Sequence, residues 1–162
     1  MAGNRITRRL GVRIAASVWF LAAPAAHAQS LELDSLQWSN PTTLPLGALA
    51  AVASGDPTGP GKSSFLLSMP DGYRVPPHFH PGYERLEVRE GTLLVGVGDE
   101  LDTRRTRALL AGDSITAPAG KHHFWIARGQ RTVISVTFMG PYTITYLRAE
   151  DAPRPRNFPF GY

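Results

Sequence analysis

The sequence contains no cysteine among its 162 residues. This absence excludes disulfide bonds as a source of stability, and it also excludes thiolate ligands, so any metal site must use histidine, aspartate or glutamate. A chain of this length is expected to form one domain and to bury enough apolar surface to fold. Stability is therefore expected to come from the core and from any bound metal.

Acidic residues are missing from the first 28 positions, where the basic residues are Arg5, Arg8, Arg9 and Arg13. An apolar run follows at 14–26, and Ala26-His27-Ala28 has the small residues that signal peptidase recognises. The run is shorter than the ~20 residues of a membrane-spanning helix. We predict that residues 1–28 are a signal peptide cleaved after Ala28, and that the mature chain is periplasmic or secreted. The pair Arg8-Arg9 is compatible with Tat export as well as with Sec export, and this choice stays open.

Without residues 1–28, the chain has no excess of positive charge. The whole chain has a net charge of +4 and a pI near 9.8, but residues 29–162 carry 13 basic and 13 acidic residues. The remaining basic cluster at 104–107 follows Glu100 and Asp102, which is typical of a solvated loop. The composition therefore argues against nucleic-acid binding, and we expect no membrane association after signal cleavage.

Long helical periodicity is absent after residue 30. Short apolar or alternating runs recur instead, each closed by glycine, proline or aspartate. They predict strands at 47–53, 63–69, 84–90, 92–98, 114–119, 123–127, 132–138 and 142–147. Such a series indicates an all-β sandwich or barrel, in a single domain over residues 29–162.

Two connections and the C-terminal tail are predicted from their glycine, proline and polar residues. Glu90-Gly91-Thr92 is interpreted as a tight turn between two strands, in which glycine allows a positive φ. Residues 98–113 form the longest polar connection, with room for one helical turn. The proline-rich tail at 151–162 is expected to lie along the surface.

Glu84 occupies an unusual position in the strand at 84–90. Alternation places Glu84 on one face with Leu86 and Val88, while the other face carries Arg85, Glu87 and Arg89. A carboxylate on an apolar face is costly unless it is paired or bound to a metal. Glu87 is expected to form solvated or cross-strand ion pairs, and Glu90 is expected to be exposed.

The four histidines beyond the signal peptide lie in two short stretches. His78 and His80 point to the same face of a strand, and the three residues before Glu84 leave room for a bend. His122 and His123 follow a turn of proline and glycine, and because adjacent strand residues face opposite ways, only one of them can turn inward. Three imidazoles and a carboxylate suit one divalent transition metal, such as Fe, Mn, Ni, Cu or Zn.

These two stretches resemble the motifs of the cupin family. The first motif is G, five residues, H-x-H, three or four residues, E, six residues, G, and it matches Gly72, His78, His80, Glu84 and Gly91. The second motif is G, five residues, P-x-G, two residues, H, three residues, N, and it matches Gly112, Pro118, Gly120 and His123. Ala127 stands where the second motif has asparagine. The motifs at 72–91 and 112–127 are separated by 20 residues, a spacing of the single-domain kind.

The resemblance implies a double-stranded β-helix, or jelly-roll barrel, with one metal ion inside. Its ligands would be His78, His80, Glu84 and His123, and His122 is the alternative to His123. Cupins of this pattern include dioxygenases, isomerases, decarboxylases and lyases that act on small molecules. The resemblance therefore implies a metal-dependent enzyme on a small molecule, with a dioxygenase favoured and with Glu84 as a candidate base.

Two other functions stay open at this point. One is a cupin that binds or senses a metal or a small ligand without turnover, because a fold does not define an activity. The other is a homodimer in which the metal only stabilises the fold.

The aromatic residues are interpreted mainly as structural. Trp38 and Trp125 are predicted to be core or barrel-rim residues, although Trp125 shares a strand face with His123 and could line a pocket. Tyr83, Tyr142 and Tyr146 could each supply a hydroxyl group. Nothing in the sequence connects these tyrosines with the site.

Overall fold

Strands form most of the computed structural model, which describes residue 33 and residues 35–154. The chain divides into two units, Met1–Ser35 and Leu36–Tyr162, and the architecture below is that of the second unit. The predicted signal peptide at 1–28 and most of the predicted tail at 151–162 lie outside the described residues. Within the described part of the chain, no helix is long and apolar enough to cross a membrane.

The described part of the second unit contains eight strands and two short 3-10 helices. The strands are β1 (Leu49–Ser54), β2 (Gly61–Met69), β3 (Arg74–Phe79), β4 (Glu84–Val97), β5 (Thr106–Leu110), β6 (Ser114–Ala117), β7 (His123–Gly140) and β8 (Thr145–Tyr146). The 3-10 helices are Thr103–Arg105 and Ala149–Asp151. The predicted all-β fold class is confirmed.

Strand β7 is the centre of the sheet. The strand order is β1-β2-β7-β3-β8, and β4 pairs with β7 while also pairing with β5 and β6. All of these pairs are antiparallel. The first residues of β7 pair with β3, and its later residues pair with β2.

The long pair of β4 and β7 folds over on itself. Glu84 lies opposite Phe138, near the end of β7, whereas His123 begins that strand. In a straight strand those two positions of β7 would be about 50 Å apart, at ~3.3 Å per residue. Yet a carboxylate oxygen of Glu84 lies 3.3 Å from Nε2 of His123. The two strands must therefore bend near their middles, and this closure brings their ends together.

The predicted turn at Glu90-Gly91-Thr92 is wrong. Strand β4 continues through these residues, and its register with β7 shifts on both sides of Glu90, which marks a β-bulge. Gly91 does have the expected positive φ, at 78°, and a Cβ there would lie 2.5 Å from the carbonyl oxygen of Arg131. Because a bulge bends a strand without reversing it, the glycine marks the fold-over of β4 rather than a hairpin.

Other predicted ranges also differ from the structure. The ranges 123–127 and 132–138 are one strand, β7, joined by an exposed stretch at 128–131. Residues 98–113 contain not only a helical turn but also β5. The strand that the sequence predicts at His78 and His80, without bounds, is β3 (Arg74–Phe79), which contains His78 and prolines 76 and 77 and ends just before His80. These prolines lie where the pairing of β3 with β7 is irregular, so their missing N–H groups remove no regular ladder bond.

Strand alternation divides β7 between two apolar clusters. Trp125 and Ala127 lie in the main core with residues of β2, β3 and β4, whereas Phe124 and Ile126 pack with Leu94 in a smaller cluster on the opposite face. His123 has the parity of Trp125 and therefore faces the main core.

Candidate metal centre

Three strands bring the predicted ligands to one place inside the barrel. His78 lies near the end of β3, His80 follows that strand, Glu84 begins β4 and His123 begins β7. His78 and His123 are opposite each other in the β3–β7 register, so their side chains project from the same face. The structure thus brings together all four residues that the motifs single out.

The four side chains form one tight buried group. Their ligand atoms all lie within 4.8 Å of one another, and the exposed fraction of each residue is 5% or less. Nε2 of His80 is 3.4 Å from Oε1 of Glu84, and Nε2 of His123 is 3.3 Å from Oε2 of the same carboxylate. The group can hold one metal ion, and its binding of a metal stays a prediction.

Backbone carbonyl groups orient the three imidazole rings. Nδ1 of His78 lies 2.7 Å from the carbonyl oxygen of Pro76, Nδ1 of His80 lies 2.6 Å from that of Thr143, and Nδ1 of His123 lies 2.8 Å from that of Lys121. A carbonyl oxygen only accepts hydrogen bonds, so each Nδ1 must carry the proton and donate. In a neutral ring, Nε2 then presents its lone pair to the centre of the group, as a metal ligand does.

Burial keeps His78 neutral. Desolvation, followed by the neighbouring His123, lowers the pKa of His78 from its usual 6.5 to about 2. Its hydrogen bond to Pro76 acts in the opposite direction but does not compensate. An uncharged imidazole is the form that binds a metal ion.

The atoms that face the centre of the group lack hydrogen-bond partners. These atoms are Nε2 of His78, His80 and His123, together with Oε2 of Glu84. Buried polar atoms are rarely left unsatisfied, because each one costs about 1–3 kcal/mol. Four converging acceptors with no donor between them call for a cation, so the donor set fits a divalent transition metal.

His122 points away from this group. Its Nδ1 lies 2.8 Å from Oδ1 of Asp99, and its ring packs against Phe79 with 5.3 Å between ring centroids. The side chain is 38% exposed. Because His122 and His123 are adjacent on the chain, the inward orientation of one directs the other outward.

Tyr142 contacts the group although it lies outside both motifs. Its hydroxyl donates a hydrogen bond of 3.0 Å to Oε1 of Glu84. Burial, together with the Glu84 carboxylate, raises the pKa of Tyr142 well above its usual value, so the hydroxyl keeps its proton. The sequence carried no signal for this contact, because the two residues are 58 positions apart and no spacing rule relates them.

A small opening to the outside lies beside the group. It is lined by two of the predicted ligands, His80 and Glu84, and by Pro81, Gly82, Tyr83, Phe138, Met139, Pro141, Tyr142 and Thr143. Its volume is about 10 Å³. That is roughly the space that one water molecule requires.

Trp125 packs behind the ligands and does not line this opening. Its ring lies edge-on to His78, with centroids 5.2 Å apart, and nearly parallel to His123, with centroids 5.8 Å apart. The side chain is fully buried in the main core. Trp125 is thus a core residue that holds two imidazoles in place, whereas Trp38 is half-buried.

The outer face of β4 carries ion pairs, as alternation predicts. Oxygens of Glu87 lie 3.6 Å from Arg85 and 3.5 Å from Arg89, and all three side chains are at least 37% exposed. Glu90 is half-exposed and lies 2.8 Å from Arg131. These pairs are solvated and have no connection with the buried group.

Comparison with known proteins places the chain among cupins. Residues 65–139 match the family model described as a cupin domain. A germin-like protein 8-14 from Oryza sativa subsp. japonica is 37% identical over 86 residues, which cover 51% of this chain and 40% of that protein. The chain therefore spans about two fifths of the length of this curated relative.

Solved structures share the fold. The polyketide cyclase RemF from Streptomyces resistomycificus superposes with a TM-score of 0.60 at 17% identity, over 74% of this chain and 85% of that chain. An oxalate oxidase in complex with glycolate has a TM-score of 0.51 at 25% identity, over 67% of this chain and 59% of that chain. The first likeness concerns the fold alone.

Proposed function

Since this chain belongs to the cupin family, we propose that it is an exported metal-dependent enzyme that acts on a small molecule, with a reaction of the dioxygenase type. The observation that carries the proposal is the convergence of four buried acceptor atoms. Two of the residues that supply them, His80 and Glu84, also line an opening to the outside. A metal held only for stability would need no such opening.

His78, His80, Glu84 and His123 would hold the metal in this proposal. A bound divalent transition metal supplies Lewis acidity and the capacity to activate oxygen. Four protein ligands leave coordination positions for a small molecule, and the opening beside His80 and Glu84 provides its path. Glu84 is the candidate base, because it is the one carboxylate of the group.

The lining of the opening supports a proposal for the class of substrate. None of the ten lining residues is a lysine or an arginine, and most are aromatic, proline or methionine. A substrate would therefore present an oxygen atom to the metal and an apolar or aromatic body to the lining. Phenols and diketones fit this chemistry, while small acids such as the glycolate bound by the oxalate oxidase would rely on the metal for charge pairing.

The small volume of the opening favours a second candidate, a cupin that binds metal without turnover. A path that admits about one water molecule would have to widen before a substrate could enter. A homodimer stabilised by the metal also stays a prediction.

Elemental analysis of protein purified from the periplasm is the first test. We expect about one transition-metal ion per chain and an N-terminus at Gln29 after cleavage. Oxygen uptake is then measured with phenols, diketones and small acids under isotopically labelled oxygen. Transfer of both labelled oxygen atoms to the organic product supports the dioxygenase, whereas label in hydrogen peroxide would indicate an oxidase instead.

The His78→Ala variant, purified in the same way, is the control for adventitious metal. Full metal loading of the wild-type protein with neither oxygen uptake nor substrate change across the panel would favour the non-catalytic candidate. Wild-type protein that binds no metal would overturn both.

A further inference from the structure

Tyr142 and Thr143 together orient two of the predicted ligands from outside the metal motifs. The hydroxyl of Tyr142 donates to Oε1 of Glu84 at 3.0 Å, and the carbonyl oxygen of Thr143 accepts from Nδ1 of His80 at 2.6 Å. The two residues are adjacent, and both line the opening. One short segment therefore supports the side of the metal group that faces outward.

The ring of Tyr142 is held on several sides. It meets Phe65 edge-on with centroids 5.0 Å apart, it packs on Phe138 at 4.7 Å, and it lies against the ring of His80 at 5.0 Å. The backbone N–H of Tyr142 also donates to the carbonyl oxygen of Pro57 at 2.8 Å. Because the ring is fixed, its hydroxyl is presented to Glu84 in one orientation.

The two oxygens of Glu84 consequently have different roles. Oε1 accepts the hydrogen bond from Tyr142, whereas Oε2 is buried with no donor. Oε1 is nevertheless only 3.4 Å from Nε2 of His80, so it lies close enough to the group to become a second ligand atom if it were released. The hydrogen bond from Tyr142 competes with that outcome.

We propose that Tyr142 is a positioning residue that makes Glu84 bind the metal through one oxygen, and so keeps a coordination position free beside the opening. A carboxylate that binds through both oxygens would occupy the position that an incoming molecule needs. This inference rests on the proposed metal site and adds to it the residue that keeps the site open.

The test uses the Tyr142→Phe variant, which removes one oxygen atom and retains the packed ring. Tyr146→Phe is the matched control, since its hydroxyl donates to the carbonyl oxygen of Thr43 at 3.0 Å and its ring is 5.9 Å from that of His78. Both variants and the wild-type protein are loaded with cobalt(II). Two quantities are measured: the intensity of the visible cobalt absorption, which falls as the coordination number rises, and the dissociation constant of azide, a small anion that needs a free position.

We expect Tyr142→Phe to bind one cobalt ion with weaker visible absorption and to bind azide about tenfold more weakly. Tyr146→Phe should match the wild-type protein in both quantities. Equal spectra and equal azide affinity for wild type and Tyr142→Phe would overturn the inference while leaving the metal site intact. Failure of the wild-type protein to bind cobalt would overturn the proposed function and this inference together.

A second measurement does not depend on a variant of Tyr142. The infrared carboxylate stretches of Glu84 in the metal-loaded wild-type protein are identified by subtracting the spectrum of Glu84→Gln. A wide splitting between the two stretches, typical of one-oxygen binding, supports the inference. A narrow splitting, typical of two-oxygen binding, would contradict it even if Tyr142→Phe did not fold.

Discussion

The two faces of β4 carry the same type of residue in opposite settings. Glu84 faces inward, is fully buried and has an oxygen without a donor. Glu87, three residues later, faces outward between Arg85 and Arg89, and its side chain is 38% exposed. The outer carboxylate finds its cations on the chain itself. The inner one has three imidazoles and the Tyr142 hydroxyl around it and no cationic side chain in the buried group, so a cation that pairs with it would come from solution.

The adjacent histidines of the second motif repeat this contrast. His123 is buried and directs Nε2 to the group, whereas His122 is partly exposed and pairs with Asp99. Strand parity alone separates the two side chains. In both motifs, therefore, the parity of a position on the strand separates a buried candidate ligand from a partly exposed side chain that pairs with a neighbour.

Replacing each of the two histidines with alanine is expected to give the largest difference between the inward and outward positions. We expect His123→Ala to reduce the metal content from about one ion per chain to near zero, because a ligand of the group is lost. His122→Ala should retain full metal content, since it removes only an exposed contact. Metal analysis after dialysis measures both variants.

Full metal content in His123→Ala would show that the second motif does not supply a ligand. Loss of metal in both variants, with unchanged circular dichroism, would show that the two faces are not independent.

Acidification should lower the free energy of unfolding of the metal-free protein through the buried His78 on the inner face. In metal-free protein the pKa of His78 is about 2, against about 6.5 in the unfolded chain, because burial and then His123 disfavour its charged form. Between these values the unfolded state binds the extra proton, so stability is complete above about pH 6.5 and falls as the pH falls toward about 2. For one group the loss is about 1.4 kcal/mol per pH unit.

Urea unfolding of metal-free protein at about pH 7 and about pH 5 measures this dependence. The His78→Gln variant should lose part of the slope, and His122→Ala should retain it. If the free energy of unfolding of His78→Gln depended on pH as strongly as that of the wild-type protein, the acid sensitivity would not come from His78.

Removal of the outer carboxylate should have the smallest effect. Glu87→Gln breaks two exposed ion pairs, and we expect the free energy of unfolding to change by less than about 0.5 kcal/mol, with metal content unchanged. Thermal and urea unfolding at low and high salt provide the measurement. A loss of metal, or a destabilisation of several kcal/mol, would show that the outer face of β4 is not independent of the buried group on its inner face.

Much of the site could be predicted because its positions follow local rules. The H-x-H spacing and the inward parity of Glu84 depend on strand alternation within a few residues, whereas His123 rather than His122 is what the resemblance to the second cupin motif implies. The structure brings these four residues together. The turn predicted at Gly91 is wrong because glycine with positive φ occurs in a bulge as well as in a hairpin, and the local sequence does not distinguish them.

Tyr142 could not be found in the same way. Its contact with Glu84 depends on the fold-over of β4 and β7 and on the packing of its ring between Phe65 and Phe138. Such contacts join residues that are far apart in the chain, and the periodicity of a local stretch of sequence does not predict them.

Short-range patterns in the sequence were enough to predict the β class from alternation and the four candidate ligands from the spacing of the two motifs. Three features emerge only when the strands pack: β4 and β7 bend, the four acceptors converge without a donor, and Tyr142 donates a hydrogen bond to one oxygen of Glu84 beside the opening. Closure of the barrel and burial of polar atoms are properties of packed strands, which a single strand does not have.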